Sequence, residues 1–242
     1  MAQVNASPSL VDDLAPEGVL RASINLGNAV LAAGTPEQPT GVTVDLAEAI
    51  AARLGVAARM LCVDAARHAV EALHTGVADV GFLAVEPERE AELAFTSPYV
   101  LIEGVYVVPP DSPVRTPDDV DRHGVRVGVK RGSAYDLFLT RALATAEVVR
   151  GEDGVVVLAD ERLEVAAGIR QPATVWAESH PGHRVLEPAF MQIRQAVATR
   201  RNHDAATLDF LRDLVEELKA SGFVAESLAR AGRADVTVAP PA

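Results

Sequence analysis

Apolar residues along this chain keep two rhythms that alternate. Residues 19–24 (Val-Leu-Arg-Ala-Ser-Ile) read as a buried strand and run into the turn-prone Asn25-Leu26-Gly27-Asn28. From Asp45 the apolar positions Leu46, Ile50 and Leu54 recur at helical spacing, and Gly55 supplies a stop. Residues 58–63 then predict a strand, 66–74 a short helix and 77–83 a third strand, a βαβ alternation. Residues 95–99 contain Pro98 and read as a turn, and 104–108 read as another strand. A second run repeats the alternation, with strands at 125–129, 147–150 and 164–169 and a helix at 133–143. Between them, residues 153–163 set two signals against each other. Val155, Val156 and Val157 favour a strand, whereas the spacing of Val155, Leu158 and Leu163 lines one helical face, and a helix is the reading taken. Leu208, Leu211, Val215 and Leu218 form a final helical stripe, with Lys219 in the last turn and Gly222 after it.

The alternation predicts an α/β protein of two lobes. The stiff Pro109-Pro110-Asp111-Ser112-Pro113 resembles a crossing between them, so lobe 1 is placed at 17–108 and lobe 2 at 112–190. Residues 191–234 then form a return segment whose helices pack on lobe 1, and 1–16 and 235–242 lack periodicity and read as loose termini.

At 242 residues, 49% hydrophobic and 23% charged, the chain has globular composition and length for a sizeable core. The 22 Lys and Arg against 34 Asp and Glu give a formal charge of -12, which repels phosphate backbones, so nucleic acid is not expected as a partner. The single cysteine, Cys62, makes an internal disulfide or a cysteine zinc site impossible. Residues 1–14 carry no Lys or Arg and include Asp12 and Asp13, so no export signal is read there. A cytoplasmic location is expected from the sequence as written, and a periplasmic one if the true start lies upstream. The apolar run at 98–110 is interrupted by Glu103 and prolines and is too short to span a bilayer, so no membrane insertion is expected.

Four stretches resemble the extracellular solute-binding protein family 3, the amino-acid-type receptors of ABC importers. They are Gly41-Val42-Thr43-Val44-Asp45-Leu46-Ala47, Phe95-Thr96-Ser97-Pro98-Tyr99, the segment from Gly124 to Ser133, and Leu218-Lys219-Ala220-Ser221-Gly222-Phe223. Their order covers roughly residues 17–232. The resemblance implies a type II periplasmic-binding-protein-like fold with a ligand in a cleft between lobes, hinge closure, and an ABC permease as partner if the protein is exported. It also implies that Arg89 of Pro87-Glu88-Arg89 clamps a ligand carboxylate. Two departures bear on the ligand. Phe82, Leu83 and Ala84 stand where the family places small hydroxyl residues, in a loop about two residues shorter than usual. Ile169-Arg170-Gln171-Pro172 stands where amino-acid receptors end a strand with an aspartate for the ligand ammonium. A free cation there would repel an ammonium by roughly 1 to 4 kcal/mol at about 4 Å, which disfavours a simple amino acid.

Each candidate site residue has a plainer alternative. Arg89 offers a bidentate fork to a carboxylate, or is a solvated arginine at a helix start among Glu86, Glu88 and Glu90. Arg170 and Gln171 lie at a strand's carboxyl end, where open α/β sheets bind ligands, or form a structural ion pair. Gly132-Ser133 before a helix makes an anion site that Lys130 and Arg131 reinforce, while Ser133-Ala134-Tyr135-Asp136 is equally a capping box. Asn25 and Asn28 suit hydroxyls or carboxylates but are also common turn formers, and Phe82 has the core as its first reading. His180 and His183 flank Pro181-Gly182 and read as surface turn residues, so no metal is expected. No nucleophile elbow, phosphate loop or dinucleotide fingerprint appears, so no cofactor is expected either.

These residues favour a hinge-closing binder of a small, carboxylate-bearing anion, with Arg170, Arg89, Arg131 and the Ser133 helix terminus neutralising its charge. The alternative is a lyase or isomerase on the same scaffold, resembling cyclohexadienyl dehydratases. In it Glu103 is the acid, its pKa raised by burial in an apolar run. A structural hydrogen bond is the plainer role of Glu103, and Glu187 before Pro188 has the same ambiguity. A third reading is a cytoplasmic sensor for a protein partner.

Overall fold

A computed structural model describes residues 7–242. The first six residues of the amino-terminal stretch read as loose lie outside the described residues. The chain divides into two compact units, one ending at Leu101 and resuming at Arg194, the other spanning Ile102–Ile193.

The first unit opens with helix α1 (Pro8–Leu14), strand β1 (Val19–Asn25), a hairpin of β2 (Ala33–Thr35) and β3 (Gln38–Thr40), and helix α2 (Val42–Leu54). Strand β4 (Ala57–Val63), helix α3 (Ala66–His74), strand β5 (Val80–Ala84), the single turn α4 (Pro87–Glu90) and strand β6 (Leu93–Val108) follow. Part-way along β6 the chain enters the second unit. There it forms β7 (Arg126–Lys130), α5 (Ala134–Ala142), β8 (Glu147–Gly151), α6 (Gly154–Glu161), β9 (Val165–Ile169), α7 (Arg170–Ser179) and β10 (Arg184–Val185). Strand β11 (Met191–Arg200) returns to the first unit, which ends with α8 (Ala205–Ala220), α9 (Phe223–Arg230) and β12 (Thr237–Val238).

In the first unit the strand order is β4-β1-β5-β11-β6. Strands β4 and β5 flank β1 in parallel, Ala22 lying opposite Met60 and Val80, and β11 runs antiparallel to β5 with Gln195 opposite Ala84. Leu20, Ala22 and Ile24 of β1 are fully buried, as are Leu46 and Ile50 of α2 and Leu73 of α3, so the predicted stripes do face the core. Gly55 ends α2 in the left-handed conformation at φ 76°, which a residue with a Cβ adopts at a cost. This core also takes in charge. Asp79 is completely buried and accepts hydrogen bonds from the Arg21 backbone N–H at 2.8 Å, Nε at 3.0 Å and Nη2 at 2.6 Å.

The second unit orders its strands β6-β9-β7-β8, with β6 antiparallel to β9 and the other neighbours parallel. Helix α6 resolves the ambiguous valines. Asp153 caps it by accepting from the Val155 N–H at 3.0 Å, and Val155, Val157 and Leu158 bury against Val105, Val107 and Ala166. The approach is close because two glycines meet. A Cβ on Gly154 would lie 2.4 Å from the Ala167 carbonyl oxygen, and one on Gly128 would lie 2.7 Å from that of Gly154.

Several elements differ from the sequence reading. The chain passes between units at Leu101–Ile102 within β6, whereas Pro109 to Pro113 lies inside the second unit. Residues 95–99 belong to β6 and form no turn; a proline stops a strand only where its missing N–H is needed in the ladder, and apolar residues on both sides carry the strand past Pro98. Residues 8–14 form a helix on the Ser7 cap with Leu14 fully buried, and Thr237–Val238 pairs with Leu101–Val100, so both ends carry ordered structure. Helix α7, with Pro172 in its first turn, has no counterpart among the elements the sequence predicts.

Replacing Gly154 by Ala must push α6 off β7 and β9. The expected loss is roughly 1 to 3 kcal/mol in urea unfolding with an unchanged m-value.

Candidate functional site

The second unit concentrates its ionisable chemistry at the carboxyl end of β9. Antiparallel pairing sets Gly104 of β6 opposite Ile169, so Glu103 and Arg170, one residue beyond each, come side by side. The loop after β10 is tied down by two backbone bonds, Leu186 N–H to the Tyr106 carbonyl at 2.8 Å and Phe190 N–H to the Gly104 carbonyl at 3.0 Å. That anchoring delivers Glu187. The Arg170 guanidinium donates from Nε to Glu103 Oε2, and from Nη1 and Nη2 to the two oxygens of Glu187, the last at 2.8 Å. Hydrogen bonds donated to Glu187, and then to Glu103, push the Arg170 pKa above its ordinary value, and the same contact holds the Glu187 carboxyl below its own. Two carboxylates on one guanidinium leave the cluster with a net single negative charge.

An aromatic group packs on the Gly104 and Tyr106 side of β6, the side opposite to Glu103. Phe190 stacks on Tyr106 with ring centres 4.1 Å apart and lies 6.0 Å from Phe138, and Gly104 leaves the space that Met191 and Phe190 fill. No sequence spacing groups these rings, because their positions, 106, 138 and 190, are far apart along the chain.

Arg170 is therefore no free cation, and its expected repulsion of an ammonium group is cancelled by Glu103 and Glu187. Glu103 is half exposed and ion-paired, so the apolar burial required of a general acid is absent. Gln171 is half-buried in the first turn of α7. The positive end of α5 already carries an internal anion. Ser133 Oγ accepts from the Asp136 N–H at 3.1 Å, and the buried Asp136 carboxylate accepts from the Gly132 N–H at 2.8 Å and Arg150 Nε at 2.9 Å. Exposed Arg131 is tied through its N–H to the Gly151 carbonyl at 2.8 Å. His180 stacks on Trp176 at 3.8 Å with His183 edge-on to both.

In the first unit, Arg89 is buried, so the solvated alternative does not hold. Its Nη1 donates to the Ala84 carbonyl at the end of β5 at 3.0 Å, and desolvation pulls its pKa down to about 10 against the opposing fields of Glu86 and Glu88. Phe82 is a core residue, edge-on to Tyr99 at 6.2 Å. Asn25 and Asn28 close local turns, their Oδ1 atoms accepting from the Gly27 N–H at 3.0 Å and the Val30 N–H at 3.3 Å.

This fold is the two-lobed type II periplasmic-binding-protein architecture. It is similar to a mutant of ArgBP from T. maritima (TM-score 0.74, 23% identity, 91% of this chain and 98% of that one). An amino acid ABC transporter substrate-binding protein from Streptococcus pneumoniae, bound to L-arginine, gives a TM-score of 0.75 at 20% identity over 96% of this chain and 100% of that one. An ancestral amino acid-binding protein, AncCDT-1, described as a precursor of cyclohexadienyl dehydratase, gives 0.74 at 20% identity over 92% and 98%. No curated protein matches the chain in sequence. The profile of the bacterial extracellular solute-binding proteins, family 3, matches residues 30–232, and the chain belongs to that family. Among the described residues no helix is long and apolar enough to cross a membrane.

Two outcomes follow from this geometry. Ser133→Ala should cost about 1 kcal/mol of stability through loss of the α5 cap, read by urea unfolding. In Arg170→Gln, the Glu187 pKa should rise toward the ordinary glutamate value. Because the folded value is lowered, the stability this pairing contributes is present above that ordinary value and fades as pH falls through the folded one. Carboxyl NMR titration of both proteins checks the direction.

Proposed function

We propose that this protein is the solute-binding component of an ABC importer and that its ligand is amino-acid-like, carrying a cationic nitrogen together with a carboxylate. The observation that carries this reading is the placement of Arg170 between Glu103 and Glu187. It reverses the sign of the field inferred from the sequence, where Arg170 alone pointed to a purely anionic ligand. A cluster of net negative charge suits a guanidinium or ammonium group. Solved structures of similar fold are described with L-arginine and with lysine bound, which supports the same ligand class. On this reading the protein works outside the cytoplasmic membrane and hands its ligand to a permease.

Calorimetry with L-arginine, L-lysine, L-glutamate and succinate tests it. The basic amino acids should bind most tightly, and the double variant Glu103→Gln/Glu187→Gln should lose roughly tenfold or more of that affinity, about 1.4 kcal/mol. Tightest binding of succinate, or affinity for L-arginine unchanged in the double variant, would overturn the proposed ligand class.

A further inference from the structure

The first unit holds a cavity of about 440 Å³ that has no part in the reading above. Its walls come from the start of β6 (Leu93, Phe95, Thr96, Pro98), from Val85 after β5, and from Leu208 of α8. Its rim is basic. Arg194 enters from β11, Arg201 from the turn after it, and Arg212 from α8 one turn beyond Leu208, with Glu90 the acidic residue of the lining.

The pairing of these arginines leaves most of their charge uncompensated. Arg201 Nη1 donates to the Glu90 backbone carbonyl at 2.6 Å, a neutral acceptor that fixes the side chain without cancelling its charge. Arg212 leans on Asp209 at 3.1 Å, but both groups are half exposed or more, so the pair is weak and opens at little cost. No ion pair joins Arg194 to another described residue. Gathering three guanidiniums around one space against a single lining carboxylate runs counter to a chain whose formal charge is -12. Thr96 is already satisfied, donating to the Ser97 carbonyl and accepting from the Val197 N–H, so the arginines supply the recognition.

We infer that this cavity is a second ligand site, for a small organic dianion of the phosphate-ester type. Three planar forks offer more donors than the two oxygens of one carboxylate accept, whereas a phosphate group has oxygens for all of them. Leu93, Phe95, Pro98 and Leu208 present an apolar wall that a bare inorganic ion would leave unused, so the ligand carries an apolar organic part.

Calorimetry at millimolar concentration with phenyl phosphate, inorganic phosphate and phenylacetate tests the inference on the full chain. Phenyl phosphate should bind at least about tenfold more tightly than either of the others, and Arg194→Gln/Arg212→Gln should lose at least about tenfold of that affinity. Both substitutions fall on exposed side chains, so an unchanged thermal melt reports intact folding. In Glu103→Gln/Glu187→Gln the phenyl phosphate affinity should persist, so failure of the amino-acid reading and failure of this one are told apart. The inference is overturned if phenyl phosphate does not bind, if inorganic phosphate or phenylacetate binds as tightly, or if the arginine variant binds phenyl phosphate normally.

Discussion

The antiparallel pairing of β6 with β9 sets Glu103 against Arg170, and separate backbone bonds from Leu186 and Phe190 to β6 fix where Glu187 lies. A half-buried guanidinium at this place needs partners, because leaving it unpaired costs more than an exposed charge would. Two carboxylates rather than one meet that need, and the surplus negative charge is what the end of β9 presents. The sign of that charge, and with it the proposed class of ligand, therefore rests on strand register. A one-residue slip of β9 on β6 would turn the end of β9 to the other face of the sheet and carry Arg170 away from Glu103.

The same economy recurs at α5. A helix of nine residues with a free amino end attracts an anion, and here Asp136 of its own first turn supplies one, held in turn by Arg150. Asp79 and Arg21 repeat the arrangement in the core of the first unit. Charges that read as binding chemistry in the sequence are thus largely internal pairs, while the cavity rimmed by Arg194, Arg201 and Arg212 collects cations that no spacing rule singled out.

Fusing stable packing with local backbone demands explains which elements could be read. Helix α3 begins and ends where its periodicity says, and α2 stops at the left-handed Gly55, because stripe and cap are local signals. Strand β6 was read in pieces because Pro98 is a local stop signal, and what overrides it is the sheet on either side. Helix α6 stood between two readings until the contact of Gly128 with Gly154 and the burial of Val155, Val157 and Leu158 decided for the helix.

By itself the sequence determined the α/β alternation, the principal helices and most strands, and the family, since hydrophobic period, capping residues and motif order are properties of neighbouring positions. It also named Arg170, Glu103 and Glu187 individually. Only the tertiary structure decided that these three form one cluster of net negative charge, that Arg89 and Phe82 are buried, and that Asn25, Asn28 and Ser133 serve turns and a cap. The physical reason is that a charge acts through the groups within a few ångströms of it, and those groups lie 67 positions away for Glu103 and 17 for Glu187.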